Sequence, residues 1–312
     1  MYLKHFFLIG FLIISQLVNS QKMVSITIDD VPNTINFKKN KYQSLFLNKL
    51  DTVKIPIAVF VNEVLIYSTE ATTRNFDLLD QWAQRDYITL GNHTFNHARY
   101  SDLGLEAYKD EIIKGEAISK QLVKKYNKSL THFRFPYNDL GKDSIQHTQI
   151  KNYLTKKGYH ITPFTIESSD WMYNFVYEYY LTKNNLQKAK EIGEAYINKT
   201  LAFFDFFEAL AQKDYQRPIK QIYLCHDNTL NADYLPQLIT ALKQRGYSFI
   251  SLDNALTDTI YQQKTNYYQK WGVSWLYRWE IAEKDRYKNM REQPSTTTIQ
   301  KLYNSILKEM NK

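Results

Sequence analysis

Cysteine and glycine are scarce in this 312-residue sequence, which has one cysteine, Cys225, and nine glycines. A single cysteine excludes an internal disulfide framework, so the fold has to be stabilised by packing. The sequence also lacks internal repeats, low-complexity segments and Gly/Pro-rich linkers. Its length suits one large domain or two ordinary ones.

Long apolar runs are absent after residue 20. Before that point, the stretch MYLKHFFLIGFLIISQLVNS places Lys4 ahead of an apolar run, Phe6–Ile14, and ends in residues with small or short side chains. This pattern is typical of a secretory signal (residues 1–20) cleaved near Ser20 and Gln21, and the apolar run is short for a membrane span. We expect a secreted or periplasmic protein without stable membrane insertion; a retained N-terminal anchor is the alternative.

Acidic residues are fewer than basic ones, 32 against 40, and the formal net charge is +8. The lysines are dispersed over predicted helix faces such as 109–128 and 151–157, which indicates ordinary solvation rather than a nucleic-acid-binding stripe. Nucleic acid is therefore not an expected partner, and we expect a monomer. The 25 tyrosines and 17 phenylalanines suit carbohydrate stacking and equally suit an aromatic-rich core.

Short apolar runs alternate with helical patterns along most of the chain. This alternation predicts parallel strands with right-handed crossovers, and about seven such units predict a β/α barrel or a close relative. The predicted strands are Val24–Ile28, Ile57–Val61, Tyr87–Leu90, Thr131–Phe135, His160–Ile166, Gln221–Leu224 and Tyr247–Ser251. The predicted helices are Tyr42–Leu50, Asn75–Arg85, Leu105–Tyr126, Ser144–Lys157 and Asp233–Arg245.

Polar clusters follow five of the predicted strands. Because the C-terminal ends of parallel barrel strands open on one face, we expect these clusters to converge there, where such folds build their active sites. The clusters are DD at 29–30, GNHTFNH at 91–97, RFPYND at 134–139, SSDW at 168–171 and CHDN at 225–228.

Two of these clusters could supply a metal site. His93 and His97 are four residues apart, so in a helical turn both imidazoles would project to one side and share a metal. One carboxylate from the first strand would complete a set of two histidines and one acid. Adjacent side chains on a strand point to opposite sides, so we expect one of Asp29 and Asp30 to bind metal and the other to take a proton. The same ligand set also serves oxygen-activating iron enzymes, which stay an alternative at this point.

The ordered set of motifs resembles the polysaccharide deacetylases of the NodB-homology, carbohydrate esterase family 4 type. TIDDVP looks like the family's T-F-D-D-G-P motif, HTFNH like H-[S/T]-x-x-H, RFPY like R-x-P-Y, ESSDW like D-x-x-D-W, and LCH like L-x-H. The resemblance extends over roughly 24–256, and it implies a distorted (β/α)7 barrel, in agreement with the strand count.

The resemblance implies a divalent metal held by Asp30, His93 and His97, with Asp29 as the general base. Arg134 would hold and orient Asp29. Zinc is the first expectation for the metal, with cobalt, nickel and iron as alternatives.

The remaining motifs imply the rest of the catalytic machinery. The backbone N–H of Tyr137 would help to form the oxyanion hole, and Asp170 would tune His226 as the general acid. Trp171 and Leu224 would line the groove beneath the acyl group. The implied activity is hydrolysis of N-acetyl groups on an amino sugar or a chitin-, peptidoglycan- or poly-N-acetylglucosamine-like polysaccharide.

Three departures from the family pattern affect which substrate the resemblance implies. Val31 stands where the family has glycine after the acid pair, and Glu167 stands where it has the first acid of the fourth motif. The pattern of residues 175–217 predicts a helical insertion within the catalytic domain, 21–258. We expect this insertion to lie at the rim of the catalytic face and to narrow the cleft. Residues 259–312 are expected to form an extension packed on the barrel. An O-acetyl esterase of xylan type and an inactive carbohydrate-binding relative remain alternatives.

Overall fold

A single parallel sheet forms the centre of the structure, a computed structural model that describes residues 21–311. Its strands run in the order β5-β4-β3-β2-β1-β7-β6, and β8 pairs with the first residues of β1. Every pairing in the sheet is parallel. The strands are β1 Lys22–Val31, β2 Ile57–Val61, β3 Ile88–Asn92, β4 His132–Phe133, β5 His160–Ile161, β6 Ile166–Glu167, β7 Lys220–His226 and β8 Tyr247–Phe249.

The sheet curls into a ring that is closed by the chain rather than by strand pairing. The end strands β5 and β6 are joined by residues 162–165, whose N–H groups at Thr162 and Thr165 donate to Phe133 O and Ile222 O at 2.7 and 2.9 Å. The predicted distorted (β/α)7 barrel is thereby confirmed. The single strand predicted over His160–Ile166 is wrong, because Pro163 lies in its middle and has no N–H to give to a ladder.

Helices pack around the sheet, and several predicted helix boundaries need correction, two of them in more than the exact end residues. The helix predicted over 105–126 is two helices, because the Glu63 carboxylate accepts from Ile118 N at 2.9 Å and from Ser119 N at 2.7 Å and so occupies N–H groups that a continuous helix would use. The helix predicted from Asp233 begins at Thr229, where the side chain of Asn228 caps it. The helices are α1 Thr34–Lys39, α2 Leu45–Val53, α3 Thr72–Ala83, α4 Tyr100–Leu103, α5 Leu105–Lys114, α6 Ala117–Lys125, α7 Ser144–Lys156, α8 Asp170–Thr182, α9 Leu186–Tyr215, α10 Thr229–Gln244, α11 Leu252–Leu256, α12 Trp275–Trp279, α13 Glu283–Glu292 and α14 Thr297–Met310.

The segment between β6 and β7 is occupied by α8 and α9. The first of these helices starts at Asp170, five residues before the predicted insertion at 175–217. The 30-residue α9 packs against α8, α10 and β6, and its Phe204 ring lies 5.4 Å from Tyr223 and 5.2 Å from Tyr247. This long helix therefore covers the outer face of the sheet.

The residues after 258 lie against the barrel and against α8. Trp275 N donates to Phe164 O at 3.0 Å, and Ser274 Oγ donates to Thr165 O at 2.6 Å. The last helix, α14, packs on α8. Within residues 21–311, none of the helices is long and apolar enough to cross a membrane; the predicted signal at 1–20 lies outside the described residues.

We expect Phe204→Ala to lower the free energy of unfolding by about 3–5 kcal/mol, because Phe204 is fully buried between α9 and the sheet. Leu186→Ala, at the first and 63% exposed position of the same helix, should stay within about 0.5 kcal/mol of wild type. Urea unfolding midpoints of both variants measure the difference. Similar losses for the two would contradict the packing of α9 described above.

Candidate active site

A cleft of 610 Å³ opens where the strands end. Eight of the ten residues predicted for the site line it. Arg134 and Asp170 are the other two, and each lies beneath the cleft in contact with a residue that lines it. The eight are Asp29, Asp30, His93, His97, Tyr137, Trp171, Leu224 and His226.

The adjacent carboxylates of Asp29 and Asp30 reach the same histidine. Asp29 Oδ2 and Asp30 Oδ1 lie 3.8 and 3.7 Å from His93 Nε2. The expectation that they point to opposite sides is wrong, because the register of β1 shifts between Ile28 and Val31 and Asp30 has a φ of 61°. Such a bulge re-aims a side chain that a regular strand would turn away.

The three predicted metal ligands come together. Asp30 Oδ1 lies 3.3 Å from His97 Nε2, and the potential ligand atoms of Asp30, His93 and His97 all lie within 4.8 Å of one another. Asp30 Oδ1 is buried and accepts no hydrogen bond from any of residues 21–311. A buried carboxylate oxygen without a donor, facing two imidazole nitrogens, fits a divalent cation.

The two histidines do not share a helical turn as predicted. His93 follows β3, and the chain then passes through left-handed residues at Thr94, with a φ of 68°, and His97, with a φ of 54°. Thr94 N donates to the side chain of Asn92 at 2.7 Å, which helps to fix this turn. The four-residue spacing therefore brings the imidazoles together through an irregular loop.

His93 is held in one tautomer. Its Nδ1–H donates to Arg134 O at 2.8 Å, so Nε2 carries the lone pair that faces Asp30. Burial first, and repulsion from His97 second, lower the pKa of His93 to about 3. The imidazole is neutral at physiological pH, which is the form that binds metal.

Arg134 is fully buried and fixes Asp29. Its Nη1 donates to Asp29 Oδ1 at 2.8 Å and to Thr27 Oγ1 at 2.7 Å, and its Nη2 donates to Pro163 O at 3.1 Å. The guanidinium lies 4.3 Å above the ring of Phe60. With Oδ1 occupied in this way, the other oxygen of Asp29 is left to face the cleft.

A second cluster forms around Asp170 on the other side of the cleft. Its Oδ1 accepts from His226 Nδ1 at 2.7 Å, and its Oδ2 accepts from His226 N at 2.8 Å. Burial lowers the pKa of His226, but the Asp170 carboxylate, helped by the charges of Asp30 and Asp29, raises that pKa overall to about 10. The imidazole is therefore a stable proton donor with Nε2 towards the cleft.

Sequence reasoning missed two supports of this cluster. Asn228 and Asn231 donate to Asp170 Oδ2 at 3.1 and 2.6 Å. Both serve α10 as well, since Asn228 is its N-cap and accepts from Asn231 N. Asn228 lies within the CHDN cluster, where its polar neighbours could have identified it; Asn231 carries no comparable signal.

Two further acids border the cleft. Glu167 is the register partner of Leu224, and burial, followed by the nearby Asp170, raises the pKa of Glu167 to about 7. Asp227 accepts from Asn33 N at 2.8 Å, and burial and Asp30 raise the pKa of Asp227 to about 7. Each of these carboxyl groups can therefore change charge close to neutral pH.

The predicted substrate-binding residues divide into floor and rim. Leu224 is buried at the floor, whereas Tyr137 and Trp171 are each 48% exposed at the rim. The Tyr137 ring lies 4.6 Å from that of His97, and Arg99 stacks on it at 3.9 Å. Arg99 also lines the cleft and was not predicted.

The insertion does not narrow the cleft as predicted. Among the described residues, the lining includes none from 175–217, whereas Gly272 of the C-terminal segment takes part in it. The reason is geometric: α8 leaves the rim after Trp171 and Asn174, and α9 runs down the outside of the barrel.

The family model described as polysaccharide deacetylase matches residues 17–155. The resemblance predicted from the motifs is thereby confirmed. A comparison with curated proteins found no match.

Solved structures of the carbohydrate esterase family 4 type share the fold. One is a peptidoglycan N-acetylglucosamine deacetylase, with a TM-score of 0.52 and 18% identity over 76% of this chain and 88% of that chain. Another is a pseudoenzyme from Bacillus anthracis, with a TM-score of 0.51 and 15% identity over 76% of this chain and 66% of that chain. A mutant of that pseudoenzyme with restored activity has a TM-score of 0.50 and 18% identity, over 76% and 68%. At these identities the likeness concerns the fold alone.

We expect His93→Ala and His97→Ala each to weaken zinc binding at least about tenfold, because each removes one of three clustered ligands. Asp29→Asn should keep the metal, since that carboxylate lies outside the three-ligand cluster. Calorimetric titration of metal-free protein with zinc measures the affinities. His160→Ala, on the exposed surface, is the control that should keep the wild-type affinity. Unchanged affinity in both histidine variants, or its loss in Asp29→Asn, would reverse the assignment of ligands.

Proposed function

We propose that this chain, whose residues 17–155 match the polysaccharide deacetylase family model, is a metal-dependent hydrolase that removes N-acetyl groups from an amino sugar or polysaccharide. The observation that carries the proposal is the pairing of two clusters in one cleft. On one side, Asp29 lies beside the three-ligand set, and on the other side Asp170 holds His226. Hydrolysis of an amide needs a base for the water and an acid for the amine, and the cleft contains a candidate for each.

The ligand set suits a divalent ion. Two imidazole nitrogens and one carboxylate oxygen leave coordination positions open, as catalytic zinc sites do, and cobalt, nickel or iron could take the same donors. Such an ion supplies Lewis acidity, which lowers the pKa of water towards about 7. Asp30, His93 and His97 are the residues that would hold it.

Asp29 is the proposed general base. Its Oδ1 is bound by Arg134, and its Oδ2 lies 3.8 Å from His93 Nε2, next to the ligand set. A water that attacks the acetyl carbonyl from that side therefore has a fixed proton acceptor. Arg134 acts as the positioning residue for this carboxylate.

Tyr137 and His226 would complete the reaction. Attack on the carbonyl places negative charge on its oxygen, which the backbone N–H of Tyr137 would bind; loss of one such donor typically costs about 10²–10³ in rate. An amine leaves well only after protonation, so the C–N bond breaks as His226 gives up its proton. The products are acetate and a free amino sugar.

The walls of the cleft support a sugar ligand. Trp171 and Tyr137 present half-exposed rings of the kind that stack on sugar faces, and Leu224 gives an apolar floor for the acetyl methyl group. The peptidoglycan N-acetylglucosamine deacetylase of the same fold supports a glycan as the substrate class. Both clusters are complete in this chain, which argues against an inactive, carbohydrate-binding role.

Acetate release from zinc-reconstituted protein tests the function. The panel comprises chitin oligomers, peptidoglycan fragments, poly-N-acetylglucosamine and acetylated xylan, and Asp29→Asn is the matched control that should keep the metal. We expect release from at least one N-acetylated substrate and its loss in the control. Release from acetylated xylan alone would favour the esterase, and no release from any substrate would favour the binding protein.

We expect His226→Asn to slow amide cleavage by about 10²–10⁴ and to slow cleavage of an O-acetyl ester far less. An alcohol leaves without prior protonation more readily than an amine does, so the ester depends less on the acid. Paired kcat/KM values for an N-acetyl and an O-acetyl substrate measure the contrast, with His160→Asn as the surface control. Equal losses on both substrates would contradict the role of His226 as the general acid.

We expect Asp170→Asn to move the alkaline limb of the kcat profile to lower pH. A general acid works while it is protonated, so activity falls as the pH rises through its pKa. Burial lowers the pKa of His226, and the Asp170 carboxylate is the largest influence that raises it, so removal of that charge lowers the pKa of His226. Asp205→Asn, on the exposed ion pair with Arg245, is the control that should keep the limb in place. If the alkaline limb does not shift in Asp170→Asn, it reports the titration of a group other than His226.

A further inference from the structure

The segment that follows the predicted catalytic domain contacts the loop formed by residues 136–139, which contains Tyr137. We propose that Arg278 and Gly272 are positioning residues of the reaction: they hold this Tyr137 loop so that the Tyr137 N–H faces the reacting carbonyl. The inference rests on the proposed function, which gives that N–H the oxyanion role. It makes residues 271–278 part of the catalytic apparatus rather than a peripheral addition.

The Tyr137 loop has a conformation that needs support. Tyr137 and Asn138 have φ values of 56° and 50°, in the left-handed region. Asparagine accepts this region readily, but a residue such as tyrosine does so only where its surroundings impose it. Within the loop, Asn138 N donates to Phe135 O at 2.9 Å and Asp139 N to Pro136 O at 3.1 Å. These turn bonds fix the shape of the loop but not its place in the cleft.

Arg278 joins the loop to the C-terminal segment through one nitrogen. Its Nη2 donates to Asn138 O and to Trp271 O, both at 2.9 Å. The guanidinium is fully buried and lies 5.1 Å from the ring of Tyr267 and 5.6 Å from that of Trp275. Aromatic faces on a planar cation fix its direction, so the position of Asn138 O follows from that of Arg278.

Gly272 lies directly against the same loop. A Cβ at this position would lie 2.1 Å from Tyr137 O and 3.0 Å from Asn138 Cβ. The requirement for glycine is therefore the close approach of two backbones. Because Gly272 also lines the cleft, Gly272 limits how far Tyr137 can move away from the cleft.

The C-terminal segment has anchors that do not involve the Tyr137 loop. Ser274 and Trp275 bond the barrel at Thr165 O and Phe164 O. The buried Arg286 donates to Tyr277 O at 2.9 Å. Replacement of Arg278 should therefore release the loop while the segment stays in place. Arg286 supplies a matched control, since it is also a buried arginine, and among the described residues its hydrogen bonds go to main-chain carbonyls of the C-terminal segment and none goes to residues 136–139.

The test compares Arg278→Met with Arg286→Met in the full chain. We expect Arg278→Met to lower kcat about 10- to 100-fold on an N-acetylated substrate, somewhat less than the typical loss of a whole oxyanion donor, with KM and zinc content nearly unchanged. Amide hydrogen exchange of a peptide spanning 133–141 should rise in this variant. Arg286→Met should leave kcat and that exchange close to wild type.

Two more variants test the inference if Arg278→Met does not fold. Gly272→Ala should lower kcat and raise exchange in the same peptide, because the new methyl group pushes Tyr137 O away. Arg278→Lys keeps one donor and should recover part of kcat. Equal exchange and equal kcat in the Arg278 and Arg286 variants would overturn the inference. An inactive wild type whose loop exchange still rises only with Arg278→Met would overturn the proposed function instead and leave the contact standing.

Discussion

The buried ion pair between Arg134 and Asp29 is the interaction on which the rest of the site depends. Arg134 is fully buried and Asp29 is 2% exposed, so each charge is stable only with the other present. Removal of one partner from such a pair typically costs about 3–5 kcal/mol, because it leaves an uncompensated buried charge. The main-chain carbonyl of Arg134 also accepts from His93 Nδ1. One residue thus orients the proposed base through its side chain and a proposed metal ligand through its backbone.

Around this pair, the cleft separates two histidines by their surroundings. His93 is buried beside another histidine, and its pKa falls to about 3, whereas His226 is buried beside the Asp170 carboxylate, and its pKa rises to about 10. Under the proposed function, the same type of side chain would therefore supply a neutral ligand at one wall and a charged proton donor at the other. When two groups of the same type lie in different surroundings, their pKa values move apart, and this difference allows a site to divide acid, base and ligand roles between them.

The convergence of the polar clusters could be predicted because strand ends in a parallel barrel share one face, and that rule needs only the order of strands along the chain. The local geometry could not. The bulge at Asp30 and the irregular turn at His97 depend on neighbouring strands and on Asn92, which no residue spacing encodes. The roles of Arg278 and Gly272 were equally hidden, since Arg278 lies 140 positions from its partner Asn138 and carries no motif.

The closure of the barrel explains why the C-terminal segment meets the cleft where it does. Residues 162–165 replace a strand, so their four carbonyl groups have no complete ladder to bond and must find other donors. From inside the barrel, Arg134 donates to Thr162 O at 3.5 Å and to Pro163 O at 3.1 Å. From outside, the C-terminal segment bonds the next two carbonyls, through Trp275 N at 3.0 Å and Ser274 Oγ at 2.6 Å. The arginine that fixes Asp29 and the segment that contacts the Tyr137 loop therefore hold the same four residues, and any shift of this connection would reach Asp29 and the Tyr137 loop together.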